Sequence, residues 1–156
     1  MRLVQQRTRR HLPLLLALLV VTTAGFKGCP IPTSNDLDRA AKASNELAHD
    51  TLIGNQVVLE FFKAGKIPLA AKDRIADKLG VIGEKGKKFN DVLVELDKKY
   101  PQGTAPPQDV EFVKQNLSEL RQLYSDVLAS LLPFKAQKAV SKLDEHLTTI
   151  EKAVNK

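Results

Sequence analysis

The chain has 156 residues, one cysteine, and 24 Lys or Arg side chains against 18 Asp or Glu. Five of the basic side chains and none of the acidic ones precede Cys29, so residues 29–156 carry 19 positive and 18 negative side chains. Nucleic-acid binding needs a basic face on the folded part, so we predict no nucleic-acid partner. A single cysteine excludes an internal disulfide, so the fold must depend on packing.

The first element in the chain has the composition of an export signal. Four arginines lie within residues 2–10, and an apolar run of about 15 residues follows at positions 12–26, shorter than the ~20 that a transmembrane helix needs. A basic start, a short apolar run and small residues after it are typical of a secretion signal. We therefore predict that residues 1–28 are an export signal segment and that the remaining chain lies in the cell envelope.

Gly28 and Cys29 follow this run and resemble the end of the lipobox in bacterial lipoprotein precursors. In that family a branched aliphatic residue, a small residue, and Gly, Ala or Ser precede a cysteine that becomes lipid-modified and forms the new N-terminus. Phe26 and Lys27 depart from this pattern, and the resemblance covers about the first 30 residues only. It implies lipidation at Cys29 and a domain facing the periplasm or the exterior. Pro30 is not the aspartate associated with inner-membrane retention in that family, which favours the outer membrane.

Two other fates of the export segment stay open. Thr22 and Ala24 are small residues placed for ordinary signal peptidase, which would release an unanchored domain. An uncleaved signal anchor is the other alternative. Residues 29–33 contain Pro30 and Pro32, and we predict that they form a short, stiff tether.

Apolar residues at spacings of three and four predict helices from residue 34 onward. We predict a first helix at 36–63, capped by Thr33 or Ser34, with a wide and alanine-rich stripe. Its apolar residues are Leu37, Ala40, Ala41, Leu47, Ala48, Leu52, Ile53, Val57, Val58, Phe61 and Phe62. The second stripe consists of Ile75, Leu79, Ile82, Gly86, Phe89, Leu93, Leu96 and Tyr100. The third consists of Val110, Val113, Leu117, Leu120, Tyr124, Val127 and Leu131. The fourth consists of Ala136, Val140, Leu143, Leu147, Ile150 and Val154.

Glycine and proline separate these segments. Gly65 suits a left-handed C-cap, Pro68 suits the start of the second helix, and Asp109 is a candidate cap for the third. Pro133 lies where the stripe jumps by five residues, which indicates a break, although a kinked continuous helix stays open.

The second helix contains three internal glycines, within residues 80–86. Each lowers helix stability by about 1 kcal/mol relative to Ala, so the helix either breaks there or brings a neighbour close. Because the stripe passes through this segment without interruption, we predict an unbroken but weak helix.

The short links between helices predict antiparallel neighbours. The fold class is therefore all-α: an up-and-down antiparallel helical bundle of three or four helices, spanning residues 34–156 after the signal segment. Apolar residues whose spacing alternates between three and four, and so averages 3.5, are typical of bundle and coiled-coil seams. We predict that the four stripes form a shared core. The alternative is that one stripe binds a partner helix or a second copy of the chain.

Glu46 and His49 form the only Glu-x-x-His pair, a spacing that di-iron bundles use twice. No second pair accompanies His146, because Leu143 stands three residues before it. The segment at 80–88 has Val81 where a phosphate loop needs Gly, and no Gly-x-Ser-x-Gly nucleophile motif occurs. We therefore predict no enzyme activity and no cofactor.

Taken together, the sequence predicts an exported, lipid-anchored helical-bundle protein with a structural or protein-interaction role in the envelope. Its predicted partners are the membrane, through Cys29, and a protein bound at a helix stripe. The alternative function is a bundle that binds a metal or small ligand through Glu46 and His49, with His146 as a further candidate ligand.

Overall fold

The computed structural model describes residues 29–30, 33–101 and 104–155. This part of the chain is almost wholly helical, which confirms the all-α prediction. The four helices are α1 (Ser34–Lys63), α2 (Leu69–Lys99), α3 (Pro107–Leu131) and α4 (Ser141–Val154). Two short 3-10 segments, Leu132–Phe134 and Gln137–Val140, connect α3 to α4. The predicted export signal at 1–28 lies outside the described residues.

The four helices form an up-and-down bundle in which each helix runs antiparallel to the next. α1 packs against α2 and α4, and α3 packs against the same two helices, so the helices close a four-membered ring around one core. The start of α1, the α2–α3 link and the end of α4 lie at one end of the bundle, which we call the Cys29 end. The α1–α2 link and the 3-10 segments lie at the other, which we call the Gly65 end.

Two very short strands lie at the Cys29 end. Strand β1 (Cys29–Pro30) pairs antiparallel with strand β2 (Thr104–Ala105), with Cys29 opposite Ala105. β1 is the start of the segment predicted as a tether, at residues 29–33. The pairing ties the backbone of this segment to the α2–α3 link.

The helix boundaries follow local chemistry. The side chain of Thr33 accepts a hydrogen bond from the backbone N–H of Asp36, so α1 begins two residues earlier than predicted, with Thr33 as its N-cap. Gly65 adopts φ +70 just after α1, which confirms the left-handed position expected there. Asp109 is not the cap of α3, because α3 begins at Pro107, whose fixed φ suits the first turn.

The predicted stripes form the core. From the second, third and fourth stripes, all residues are buried except Tyr100 and Val110, which are half-buried at the Cys29 end. The α1 stripe is narrower than predicted, since Leu52 and Ile53 are 62% and 40% exposed. The smaller residues of α1, including the fully buried Ser44, face α2 instead.

Helix α2 is continuous through its glycines, as predicted. Gly83 and Gly86 are buried against α1, and a Cβ atom at Gly83 would lie 2.7 Å from Thr51 Oγ1. Ser44 Oγ donates a 2.7 Å hydrogen bond to the Gly86 carbonyl, and a Cβ placed on Gly86 would lie 3.2 Å from the Ser44 carbonyl oxygen, so the two helix backbones approach closely here. Gly80 points outward, and no atom of the described residues lies within 4 Å of a Cβ at that position.

The predicted break at Pro133 is confirmed. α3 ends at Leu131, and Lys135 adopts the left-handed φ of 53° between the two 3-10 segments. The chain then turns back along α1. The fourth stripe thus begins in the second 3-10 segment, where Val140 is buried, and continues along α4.

Candidate functional site

The structure brings all three sequence-predicted candidate ligands, Glu46, His49 and His146, around a fourth side chain, Asp50. His146, on α4, lies between two carboxylates of α1, and each of its ring nitrogens is close to one of them. Its Nε2 lies 3.0 Å from Asp50 Oδ2, and its Nδ1 lies 3.6 Å from Glu46 Oε2. His49 Nδ1 lies 3.4 Å from the second Asp50 oxygen, Oδ1.

Helix geometry explains this arrangement. Glu46 and Asp50 are four residues apart, so they lie one turn apart on the edge of α1 that faces α4. The antiparallel packing of α4 then places His146 between them. His49, the other member of the Glu-x-x-His pair, lies at the solvent side of the cluster, and its side chain is 71% exposed.

Asp50 is the central residue of this cluster, and the sequence analysis missed it. Its side chain is only 14% exposed. Burial acts to raise the pKa of Asp50, but hydrogen bonds from His146 and His49 outweigh that effect and hold the pKa below its ordinary value. The sequence feature that could have identified Asp50 was its position one turn after Glu46. Asp50 was missed because it lies outside the apolar stripe and outside the Glu-x-x-His pattern.

The cluster is an interhelical polar contact in the structure as it stands. Among residues 29–30, 33–101 and 104–155, no group of three or more His, Cys, Asp or Glu side chains is arranged to hold a metal ion. Both ring nitrogens of His146 already face carboxylate oxygens. A metal would have to displace one of these contacts before His146 became a ligand.

The backbone pairing with Ala105 holds Cys29, the predicted lipidation site, beside the α2–α3 link. Beside this pairing, the α2–α3 link is closed by Asp109, which accepts hydrogen bonds from the Tyr100 hydroxyl at 2.7 Å and from Lys99 Nζ at 3.1 Å. These two bonds lower the pKa of Asp109, with Tyr100 the larger cause. Asp109 therefore holds the two helix ends together.

A second polar contact joins α3 to α4. Arg121 donates to Asp144 at 2.6 Å, to Glu151 at 2.5 Å and to the Thr148 hydroxyl at 3.0 Å. The carboxylates are 53% and 42% exposed, so each ion pair adds little stability. The planar guanidinium group of Arg121 nevertheless fixes the register of α3 against α4, because it bonds to several α4 side chains at once.

An open groove of about 250 Å³ lies between α1 and the chain that leads into α4. Ile53, Val57 and Phe61 form its α1 wall, and Val140 and Leu143 line the opposite side. The groove exists because α4 begins late. We call it the α1–α4 groove.

Within the described residues, none of the helices combines the length and apolar character that crossing a membrane requires. The fold and contacts define the class of this domain as an up-and-down four-helix bundle with polar contacts between its helices. Comparison with known family models, curated proteins and solved structures found no match.

Proposed function

We propose that this chain is an exported bacterial envelope protein, anchored by lipid at Cys29, whose four-helix bundle acts as a structural or protein-interaction module. The observation that carries the proposal is the position of the lone cysteine. It comes directly after a basic and apolar export-type segment, preceded by Gly28. If Cys29 were an incidental thiol, its position directly after the export-type segment would have no explanation.

The position of β1 in the fold supports this proposal. Thr33, the N-cap of α1, follows Cys29 by only four residues, and the β1–β2 pairing holds Cys29 against the α2–α3 link. An acyl anchor at Cys29 would therefore set the Cys29 end of the bundle toward the bilayer. The Gly65 end would then point away from it.

Exposed apolar side chains support the interaction role. Leu69 and Leu132, both at the Gly65 end, are 55% and 57% exposed, and Leu52 on α1 is 62% exposed. Single exposed apolar residues are normal on protein surfaces. Phe112, on α3 toward the Cys29 end, is 51% exposed as well, so two of the four large apolar side chains that are more than half exposed in the described residues lie at the end that an anchored bundle would present to other proteins.

Metabolic labelling with a palmitate analogue tests the anchor. We expect labelling of the wild-type protein and none of Cys29→Ser. The matched control is the double variant Cys29→Ser, Asn45→Cys, which keeps one thiol at an exposed position of α1 and should stay unlabelled.

The intact mass of the purified protein separates the alternatives. A diacylglyceryl or triacyl mass beginning at Cys29 supports lipidation. A lipid-free chain beginning at Gly25 indicates ordinary cleavage, and an uncleaved chain indicates a signal anchor; either mass overturns the lipid anchor.

A further inference from the structure

The α1–α4 groove is the strongest candidate for a site of interaction, because of what the fold leaves uncovered there. The carbonyl oxygen of Ala139 lies 3.4 Å from a Cβ placed on Gly54, so the chain entering α4 meets α1 at this glycine. α1 continues from Gly54 to Lys63, which corresponds to about 13 Å of helix, or two to three turns. Over that length no α-helix of the described residues occupies the α4 side of α1, and the 3-10 segment Gln137–Val140 is the part of the chain that lines it.

The uncovered wall is apolar and has helical spacing. Ile53, Val57 and Phe61 recur every four residues; Ile53 is 40% exposed and the other two are half-buried. A cavity of about 150 Å³ can hold a benzene ring, so the groove's 250 Å³ takes one or two large apolar side chains. Within residues 33–101 and 104–155, the groove is left open.

Lysines surround the groove. Lys138 and Lys142 line it and are exposed, and Lys66 lies over the Phe61 ring with its Nζ 5.2 Å from the ring centre. Asp50 is the single carboxylate among its lining residues, and it is already paired with His146 and His49. An apolar floor with a cationic rim favours an occupant that is apolar on one side and acidic on its flanks.

The charge of the whole Gly65 end points the same way. Counted to a depth of six residues into each helix, this end comprises segments 58–74 and 126–146, which contain seven Lys or Arg and five Asp or Glu. The remaining described residues contain eleven basic and thirteen acidic side chains. The bundle is thus polarised, and its positive end is opposite Cys29, which favours an acidic partner there.

We propose that the α1–α4 groove binds an acidic amphipathic helix of a partner protein, which continues the position of α4 along α1. Apolar residues at spacings of three and four would insert between Val57 and Leu143, with Asp or Glu facing Lys138 and Lys142. This inference names the partner of the interaction module and so rests on the proposed function, but it does not require the lipid anchor.

Site-specific photocrosslinking in the native host tests the proposal with the full chain. A photoreactive side chain at Ile53 should form an adduct with one protein. The matched control is the neighbouring Leu52, which is more exposed but points away from the groove and should form none. Mass spectrometry of the adduct should map it to a segment with apolar residues at helical spacing and a net negative charge.

Charge reversal provides the second arm. Lys138→Glu with Lys142→Glu should lower the adduct yield roughly tenfold, because two rim attractions become repulsions. Lys87→Glu with Lys88→Glu, exposed positions on α2 outside the groove, should leave the yield unchanged. Circular dichroism of both variants checks that the bundle stays folded.

An adduct with lipid alone, with a second copy of this chain, or with a basic or neutral segment would overturn the proposal. So would equal adducts from Leu52, or no protein adduct at all. Palmitate labelling is scored in the same cells, so a missing anchor and a missing partner are distinguished.

Discussion

The contact between α1 and α2 at Gly83 leads to a quantitative prediction about the substitution Gly83→Ala. The added Cβ would lie 2.7 Å from the hydroxyl oxygen of Thr51, which is too close for any native contact. That hydroxyl donates a 2.7 Å hydrogen bond to the carbonyl of Ala48, so Thr51 cannot rotate away without losing the bond. Thr51 is also only 3% exposed, and no solvent replaces the lost partner.

Two opposing effects set the magnitude. Replacing a helical Gly by Ala favours the helix by about 1 kcal/mol. Overpacking a buried contact costs about 1–3 kcal/mol, and the lost hydrogen bond adds about 1 kcal/mol. We therefore expect Gly83→Ala to lower the free energy of unfolding by about 2 kcal/mol, while Gly80→Ala, which faces open space, raises it by about 1 kcal/mol.

Urea unfolding of the two variants and of the Thr51→Ala background measures these effects. Removing the Thr51 hydroxyl removes the clash, so Gly83→Ala should become neutral or stabilising by up to about 1 kcal/mol in that background, with a coupling energy of about 2–3 kcal/mol. If Gly83→Ala stabilises the wild-type protein as much as Gly80→Ala does, the close α1–α2 approach described here is wrong.

Three further predictions concern the polar contacts between helices. Asp50→Asn should lower stability by about 1 kcal/mol at pH 6. Because the folded-state pKa of Asp50 is lowered, the stability that its charge contributes is present above the ordinary value near 3.9 and is lost as pH falls through the folded value. The difference in unfolding free energy between wild type and Asp50→Asn, measured by urea unfolding, should therefore be smaller at pH 3 than at pH 6. An equal difference at the two pH values would contradict the pairing with His146. In NMR titrations the carboxyl of Asp109 should titrate below about 3.9, and Tyr100→Phe should raise its midpoint; an unchanged midpoint would show that the hydroxyl bond is unimportant. Arg121→Met, which keeps the apolar stem, should cost about 1 kcal/mol in low salt and less in high salt, and equal losses in both would argue against ion pairing.

Periodicity predicted the core well where a helix has neighbours along its whole length. The second stripe, from Ile75 to Leu96, is buried as expected, because α2 lies between two long helices. The first stripe was overestimated at Ile53 because its burial depends on where α4 begins, about ninety residues later in the chain. Spacing within one helix contains no information about the length of its neighbour.

The candidate cluster was only partly predictable for a similar reason. Glu46 and His146 were identified by residue type, but their contact depends on the register between α1 and α4. Asp50 matched no motif, and its importance comes from its burial beside His146. The β1–β2 pairing had no sequence signal, since two residues are too few to show the alternation that predicts a strand.

The two-residue ladder at the Cys29 end has a mechanical consequence. Tension applied to the chain at Cys29 acts first on its backbone pairing with strand β2, and only after the two strands separate does it reach the N-terminal turn of α1. The ladder is thus a weak link in series with the bundle. It can yield and re-form under small forces while the helices stay packed.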